Sequence, residues 1–197
     1  HSRVIDVASS SAVVILCGGV SRRLGVSKAL LQVQGKPLLN LVAENLSSLG
    51  LPVYLVSKLA LETHEVPLVL DTFSEDTPLA GVLTALCSLP YSNYVFSGVD
   101  MPLVNGEMVM PLLEYASSEE CSAFYTVNGF LQPFPSVLRA DAVGKILECY
   151  NNGFYKLTEV FSRVPHVCLP YTGDLNVLLN VNTWKDWESF QWSAPYY

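Results

Sequence analysis

The sequence has few charged residues and very few histidines, and both shortages limit what the protein can be. Only 15% of its 197 residues are charged whereas 50% are hydrophobic, so the chain can form a large core and disorder is not expected. Eighteen acidic against eleven basic residues give a net charge of −7, which argues against a general nucleic-acid-binding protein. The three histidines, His1, His64 and His166, lack the spacing of metal ligands.

Paired cysteines and long apolar runs are also missing. The five cysteines are odd in number and form no Cys-x-x-Cys pair; they are Cys17, Cys87, Cys121, Cys149 and Cys168. This pattern favours buried reduced thiols, and we therefore expect a cytoplasmic protein. The sequence has neither an uncharged apolar stretch of about 18 residues nor a signal-peptide pattern, so we expect no membrane association.

Short apolar runs alternate with helical patterns along the chain. The run Ala12–Cys17 precedes two glycines, which is typical of a buried parallel strand. Helical spacing opened by a proline occurs at 37–50 and 78–89. Further strands are predicted at 52–57, 66–70, 94–99, 121–127, 135–139, 167–169 and 178–181, and further helices at 106–116, 141–150 (N-capped by Asp141), 154–163 and from Thr183 to Phe190. The alternation predicts an α/β fold with a doubly wound, mostly parallel sheet, preceded by a flexible leader over residues 1–11.

The residues that follow the predicted strands are the first candidates for a ligand site. Ligands of such sheets bind beyond the carboxyl ends of the strands. The segment 16–28 reads Leu-Cys-Gly-Gly-Val-Ser-Arg-Arg-Leu-Gly-Val-Ser-Lys, and its glycines let backbone N–H groups approach phosphate oxygens. Four of the eleven basic residues lie between Arg22 and Lys36. The segment is neither a Walker A loop nor a G-x-G-x-x-G fingerprint, but it has the chemistry of a polyphosphate-binding loop.

This segment resembles the L-A-G-G-x-S-x-R-M-G-x-D-K signature of the molybdenum cofactor guanylyltransferase family, also called molybdopterin-guanine dinucleotide biosynthesis protein A. The matching residues are Leu16, Gly18, Gly19, Ser21, Arg23, Gly25 and Lys28. Four further motifs follow in the family's order: Asp71, Pro78–Gly81, Asp100–Pro102 and Asn180–Thr183. The resemblance implies one nucleotidyltransferase domain over residues 12–197, with the nucleotide-diphospho-sugar transferase type of fold.

The resemblance also implies a reaction and its residues. GMP would pass from GTP to the phosphate of molybdopterin with release of pyrophosphate, and Mg²⁺ would be the cofactor. Arg23, Lys28 and Asp100 would be catalytic, with Asp100 holding the metal. The nucleotide-binding set would be Leu16, Cys17, Gly18, Gly19, Ser21, Lys28, Ser57, Asp71, Pro78, Gly81 and Asp100, and the acceptor-binding set Gln132, Asn180 and Asn182. Partners would be GTP or another nucleoside triphosphate, molybdopterin, and molybdenum cofactor biosynthesis proteins or molybdoenzyme acceptors.

Three positions depart from the family pattern and leave two alternatives open. Cys17 replaces alanine, Ser27 replaces the aspartate before the lysine, and Ser57 stands where asparagine is common. One alternative is a cytidylyltransferase or another nucleotidyltransferase acting on a phosphorylated metabolite. The other is a non-catalytic relative that binds a nucleotide or cofactor, which the serines at positions 27 and 57 favour.

Overall fold

The structure, a computed structural model, describes residues 10–18, 27–63 and 65–193, the last three of them by backbone only. The strands are β1 Ser11–Gly18, β2 Gln32–Val33, β3 Lys36–Pro37, β4 Val53–Ser57, β5 Leu68–Leu70, β6 Asn93–Gly98, β7 Ser122–Val127, β8 Phe130–Arg139 and β9 His166–Pro170. The α-helices are α1 Leu38–Leu46, α2 Pro78–Ser88, α3 Gly106–Ser118, α4 Val143–Asn151, α5 Leu157–Phe161 and α6 Trp184–Ser193. Short 3₁₀ helices lie at Lys28–Leu30, Ser47–Leu49, Ala140–Ala142 and Leu175–Leu178.

Seven strands form one sheet in the order β5-β4-β1-β6-β8-β7-β9. Strand β1 is parallel to both of its neighbours, β4 and β6, and β8 alone runs antiparallel to the strands beside it. The predicted α/β class with a mostly parallel sheet is therefore confirmed. Because β5, β4, β1 and β6 are parallel neighbours, their carboxyl ends share one edge of the sheet.

Helices cover both faces of the sheet, and the side chains of β1 alternate between the two cores. Val13 and Ile15 pack into the core formed with α1, α3 and α6. Val14 and Leu16 pack into the core formed with α2, α4 and α5. Because both faces of β1 are buried, its side chains do not alternate between apolar and polar, which explains why β1 is a continuous apolar run. None of the helices described is long and apolar enough to cross a membrane.

The hairpin of β7 and β8 is longer than the sequence indicates. The predicted turn at Asn128-Gly129 is present, with φ of 51° and 80° at its two residues. Strand β8 begins directly after this turn, whereas the prediction began it only at Pro135. Phe124 pairs with Ser136 and Tyr125 with Gln132, so residues 133–135 have no partner on β7 and form a bulge. The bulge interrupted the strand pattern in the sequence.

Two predicted helices differ from the structure in their bounds. The helix predicted at 141–150 begins at Val143 after the turn Ala140–Ala142, and Asp141 does not cap it. Asp141 Oδ1 instead lies 4.0 Å from Arg139 Nε. The helix predicted at 154–163 shortens to α5.

The strand predicted at 178–181 is wrong. A 3₁₀ helix occupies Leu175–Leu178, and the chain then continues without joining a sheet. The amide of Val181 donates to the carbonyl of Asp100 at 2.7 Å, so this segment attaches to the turn after β6. The predicted cap at Thr183 is confirmed, because its hydroxyl accepts a hydrogen bond from the amide of Asp186 at 3.1 Å.

Candidate functional site

A cleft of about 440 Å³ lies at the carboxyl edge of β5, β4, β1 and β6. Its walls bring together residues from across the chain: Leu16, Cys17, Gly18, Lys28, Val56, Ser57, Lys58, Asp71, Asp76, Thr77, Pro78, Gly81, Gly98, Val99, Asp100, Met101, Gln132, Pro133, Phe134, Leu157 and Asn180. Most of the candidates chosen from the sequence are among them. Gly19, Ser21 and Arg23 lie outside the described residues.

Lys28 and Asp100 meet in this cleft. Lys28 Nζ lies 3.9 Å from Asp100 Oδ2, and the two side chains are 18% and 30% exposed. The lysine ammonium also donates to Asn182 Oδ1 at 2.8 Å. An ion pair at this distance leaves the carboxylate accessible, and Asn182 fixes the ammonium beside it.

The turn after β6 presents Asp100 to the cleft. The amide of Met101 donates to the carbonyl of Gly98 at 3.1 Å and closes this turn. A Cβ at position 98 would collide with the Asp100 carboxylate, so only glycine leaves the carboxylate its place. Burial raises the pKa of Asp100, while the Lys28 ammonium and a backbone N–H of its own residue lower it in part. The sequence interpretation missed Gly98, although it immediately precedes the Val-Asp-Met-Pro motif.

The end of β1 forms the floor of the cleft. Gly18 has a left-handed φ of 64°, a conformation that favours glycine. Burial raises the pKa of Cys17 to about 12, so its thiol stays protonated at neutral pH and is a poor nucleophile. Ser57 Oγ donates to the Gly18 carbonyl at 3.2 Å and accepts from the Leu59 amide at 3.0 Å. The serine at position 57 thus joins the ends of β1 and β4.

A second ion pair, Lys58–Asp71, stands at the ends of β4 and β5. Lys58 Nζ lies 3.3 Å from Asp71 Oδ2 and donates to the carbonyl of Phe73 at 2.6 Å. Asp71 Oδ1 accepts from Thr84 Oγ1 at 3.1 Å and from the Phe73 amide at 3.0 Å. Asp71 is thus where the strand-end rule places it, but its carboxylate is already held by the protein. Lys58 was missed, although it directly follows a predicted strand end.

Helix α2 forms the wall beside this pair. Thr77 caps it by accepting from the Ala80 amide at 3.4 Å, and Pro78 occupies its first turn. A Cβ at Gly81 would lie 2.9 Å from the Leu16 side chain. Gly81 therefore allows α2 to pack closely on β1, in addition to lining the cleft. Asp76, at the rim, was not singled out from the sequence.

The acceptor candidates divide into two groups. Gln132 and Asn180 line the cleft, and the β8 bulge adds Pro133 and Phe134 beside them. Asn182 serves as a support for Lys28. The backbone N–H of Asn182 donates to Asp186 Oδ2 at 3.1 Å, and this hydrogen bond anchors Asn182 to the start of α6. The strand predicted at 178–181 is absent, and the hydrogen bond from the Val181 amide to the Asp100 carbonyl holds this segment at the cleft.

The donor set suits a metal that completes its coordination with ligand oxygens. Within 10–18, 27–63 and 65–193, no three His, Cys, Asp or Glu side chains gather as a metal site. Mg²⁺ is usually bound by one or two carboxylates together with substrate phosphates and water. Asp100 provides such a carboxylate, partly exposed in the cleft.

Comparison with known proteins places the chain in a family. A family model for a MobA-like NTP transferase domain matches residues 13–167. A probable molybdenum cofactor guanylyltransferase of Aquifex aeolicus is 32% identical over 87% of this chain and 86% of its own. A molybdenum cofactor guanylyltransferase of Syntrophotalea carbinolica is 30% identical, with 92% and 91% covered.

A solved structure agrees with this result at the level of the fold. It is molybdopterin-guanine dinucleotide biosynthesis protein A from Archaeoglobus fulgidus, which superposes with a TM-score of 0.78 at 22% identity. The match covers 91% of this chain and 96% of that one. The family model, the curated relatives and the shared fold lead to one conclusion: this chain belongs to the MobA-like NTP transferase family.

Proposed function

We propose that this protein transfers GMP from GTP to the terminal phosphate of molybdopterin and releases pyrophosphate. The observation that carries the proposal is the Lys28–Asp100 pair, exposed in a cleft at the carboxyl edge of a parallel sheet. The names of the curated relatives support GTP and molybdopterin as the substrates. The nucleotide would lie along the strand ends, and the acceptor would enter beside Gln132 and Asn180.

In the proposed reaction a phosphate oxygen of the acceptor attacks the α-phosphorus of GTP. The new P–O bond forms as the bond from the α-phosphorus to the pyrophosphate oxygen breaks, and the pyrophosphate carries away the electron pair. Both reactants are anions, so the protein has to neutralise charge and align the reacting atoms. Lys28, fixed by Asn182, provides a positive charge for the phosphates, and we assign Arg23 the same role. The phosphate nucleophile is already ionised at neutral pH and needs no general base.

We assign the metal-binding role to Asp100. Its carboxylate oxygens are ligands that hard cations prefer. A bound Mg²⁺ would neutralise triphosphate charge and act as a Lewis acid. Position 98 supports this assignment, since its lack of a side chain preserves space for the carboxylate.

The partners and the compartment are part of the same proposal. Free GTP and molybdopterin are the small-molecule partners, and molybdenum cofactor biosynthesis proteins or molybdoenzymes would receive the product. We place the protein in the cytoplasm, because its five cysteines are all free thiols.

Pyrophosphate release tests the proposal. Purified protein with Mg²⁺ and molybdopterin is supplied in turn with GTP, CTP, ATP and UTP. We expect release with GTP that depends on the acceptor, and a rise in melting temperature that is largest with GTP. Release with CTP in place of GTP would replace the guanylyl assignment by a cytidylyl one. Binding of GTP without release would indicate a non-catalytic relative.

A further inference from the structure

The carboxylate of Asp71 is buried and already engaged by the protein. Oδ1 accepts from Thr84 Oγ1 at 3.1 Å and from the Phe73 amide at 3.0 Å, and Oδ2 faces Lys58 Nζ at 3.3 Å. Its side chain is only 5% exposed. Recognition of guanine by a carboxylate needs two accessible oxygens side by side for the N1–H and C2 amino donors. Asp71 does not offer that pair.

Lys58 differs from Asp71, because its ammonium has N–H groups that no described residue accepts. Of its three N–H groups, one is used by the Phe73 carbonyl at 2.6 Å, and the ammonium forms an ion pair with Asp71 Oδ2 at 3.3 Å. The described residues provide no third acceptor, and the side chain lines the cleft with 21% exposure. The Phe73 carbonyl and the Asp71 carboxylate hold the ammonium at the wall of the cleft and leave it N–H capacity for a ligand there.

The position of Lys58 along the sheet edge matches the base of a nucleotide. Asp100 follows β6 and Lys58 follows β4, with β1 between them. Neighbouring strands are about 5 Å apart, so the two sites are separated by roughly 10 Å. A nucleotide with its phosphates at Lys28 and Asp100 and its sugar across the end of β1 would bring its base to Lys58, and the cleft continues to that side past Ser57 and Asp71.

We infer that Lys58 donates a hydrogen bond to a carbonyl oxygen of the base and selects against a base with an amino group there, while Asp71 only positions the ammonium. This inference rests on the proposed function. An ammonium donates and cannot accept. Guanine presents O6 as an acceptor, whereas adenine places an amino donor at the same carbon, so two donors would face each other.

Two guanine analogues separate the role of Lys58 from that of Asp71 without altering the protein. Inosine triphosphate keeps O6 and N1–H and lacks the C2 amino group, whereas 6-thioguanosine triphosphate keeps N1–H and the amino group and carries sulfur, a much weaker acceptor, in place of O6. Dissociation constants are measured by calorimetry with Mg²⁺ and wild-type protein. We expect inosine triphosphate to bind within about threefold of GTP. We expect the 6-thio analogue to bind at least about 10-fold more weakly than GTP, the lower end of the range for loss of a hydrogen bond to a charged group.

The opposite ranking would overturn the inference and leave the proposed function intact, because it would mean that the C2 amino group is recognised. If none of the triphosphates binds, the proposed function and the inference both fail. The analogue experiment therefore distinguishes the two failures.

A paired variant tests the same point from the protein side. Lys58→Met combined with Asp71→Asn removes the ammonium and keeps the pocket neutral. We expect the preference for GTP over the 6-thio analogue to shrink towards one. Lys145→Met is the control, since this lysine is 46% exposed on α4 and pairs with Glu148 at 2.9 Å. A preserved preference in the paired variant would contradict the inference; if that variant does not fold, the analogue ranking decides.

Discussion

Two lysine–aspartate pairs stand at the same edge of the sheet, and they are built in different ways. In the Lys28–Asp100 pair the charged atoms are 3.9 Å apart, and the aspartate side chain is 30% exposed. In the Lys58–Asp71 pair they are 3.3 Å apart, and the aspartate side chain is 5% exposed. Moreover, Asp71 accepts two further hydrogen bonds.

The difference between the pairs indicates that one aspartate stabilises the fold and the other is available to a ligand. A carboxylate that is fully hydrogen-bonded stabilises the fold and fixes its neighbours, but it has little left for a ligand. A carboxylate that is partly buried and loosely paired carries a cost of desolvation that a metal or substrate can relieve. We therefore expect substitutions in the first pair to change turnover and substitution of Asp71 in the second pair to change stability.

The largest effect is expected for Asp100→Asn. Loss of the carboxylate should lower pyrophosphate release by at least about 10²-fold, as for removal of a strong electrostatic contact in a reaction centre. The free energy of unfolding should rise in this variant. Because the pKa of Asp100 is raised in the folded protein, its ionised carboxylate destabilises the fold at neutral pH. This destabilisation disappears in acid, where the carboxyl group is protonated. Thermal melting without metal measures it. Asp141→Asn, 77% exposed, is the matched control; wild-type turnover in the Asp100 variant would contradict the assignment.

Lys28→Met should be the next most damaging change. We expect a loss of about 10²-fold in turnover, because the phosphates lose a fixed positive charge. The Lys28 ammonium lowers the pKa of Asp100, so its removal should raise that pKa further and move the acid limb of the rate profile to higher pH. The rate measured against pH with the variant and wild type tests both points. An unmoved acid limb would show that the two groups are not coupled.

Asp71→Ala should mainly lower the stability of the fold rather than the rate of the reaction. The Phe73 amide loses its acceptor and the Lys58 ammonium its counter-charge, while the Thr84 hydroxyl keeps the Ala80 carbonyl at 2.9 Å. We expect the free energy of unfolding in urea to fall by about 1–3 kcal/mol. A substitution at the exposed Asp141 should stay within about 0.5 kcal/mol of wild type. Stability equal to wild type in the Asp71 variant would remove the contrast between the pairs.

The smallest effect is expected for Asp186→Ala, which acts on the first pair through Asn182. Hydrogen bonds from the Asn182 amide and the Thr183 side chain lower the pKa of Asp186. Its contribution to stability is therefore present above the ordinary value of 3.8 and is lost as the pH falls through the lowered pKa. The melting temperature of the variant should be lower than that of wild type at neutral pH and equal to it in acid. Turnover should fall modestly. Equal differences at both pH values would contradict this.

The parallel part of the fold follows from the sequence because its signals are local. An apolar run ended by glycine, as at β1, and helices opened by proline, as at α2, are recognisable without knowledge of their neighbours. The antiparallel strand β8 was recognised only in its second half, because its bulge breaks the alternation. The segment 178–181 has a strand-like apolar pattern, but its hydrogen bond goes to the turn at Asp100.

The candidate site was located by the strand-end rule, but the partners of its residues were not. Positions 28, 71 and 100 all border the cleft. The contact of Asn182 with Lys28 spans 154 residues of sequence, and nothing local indicates it. Gly98 and Lys58 were missed because the first acts through the volume it leaves empty and the second through an ion pair with a distant strand end.

The attachment of residues 180–186 to the cleft has a consequence for synthesis on the ribosome. When β9 has emerged, every strand of the seven-stranded sheet is available for pairing. Asn182 and Asp186 emerge later, and until then the Lys28 ammonium has no amide oxygen to hold it and the Asp100 carbonyl no amide donor from Val181. A nascent chain would thus acquire its architecture before its capacity to process substrate, and the two events could be timed separately.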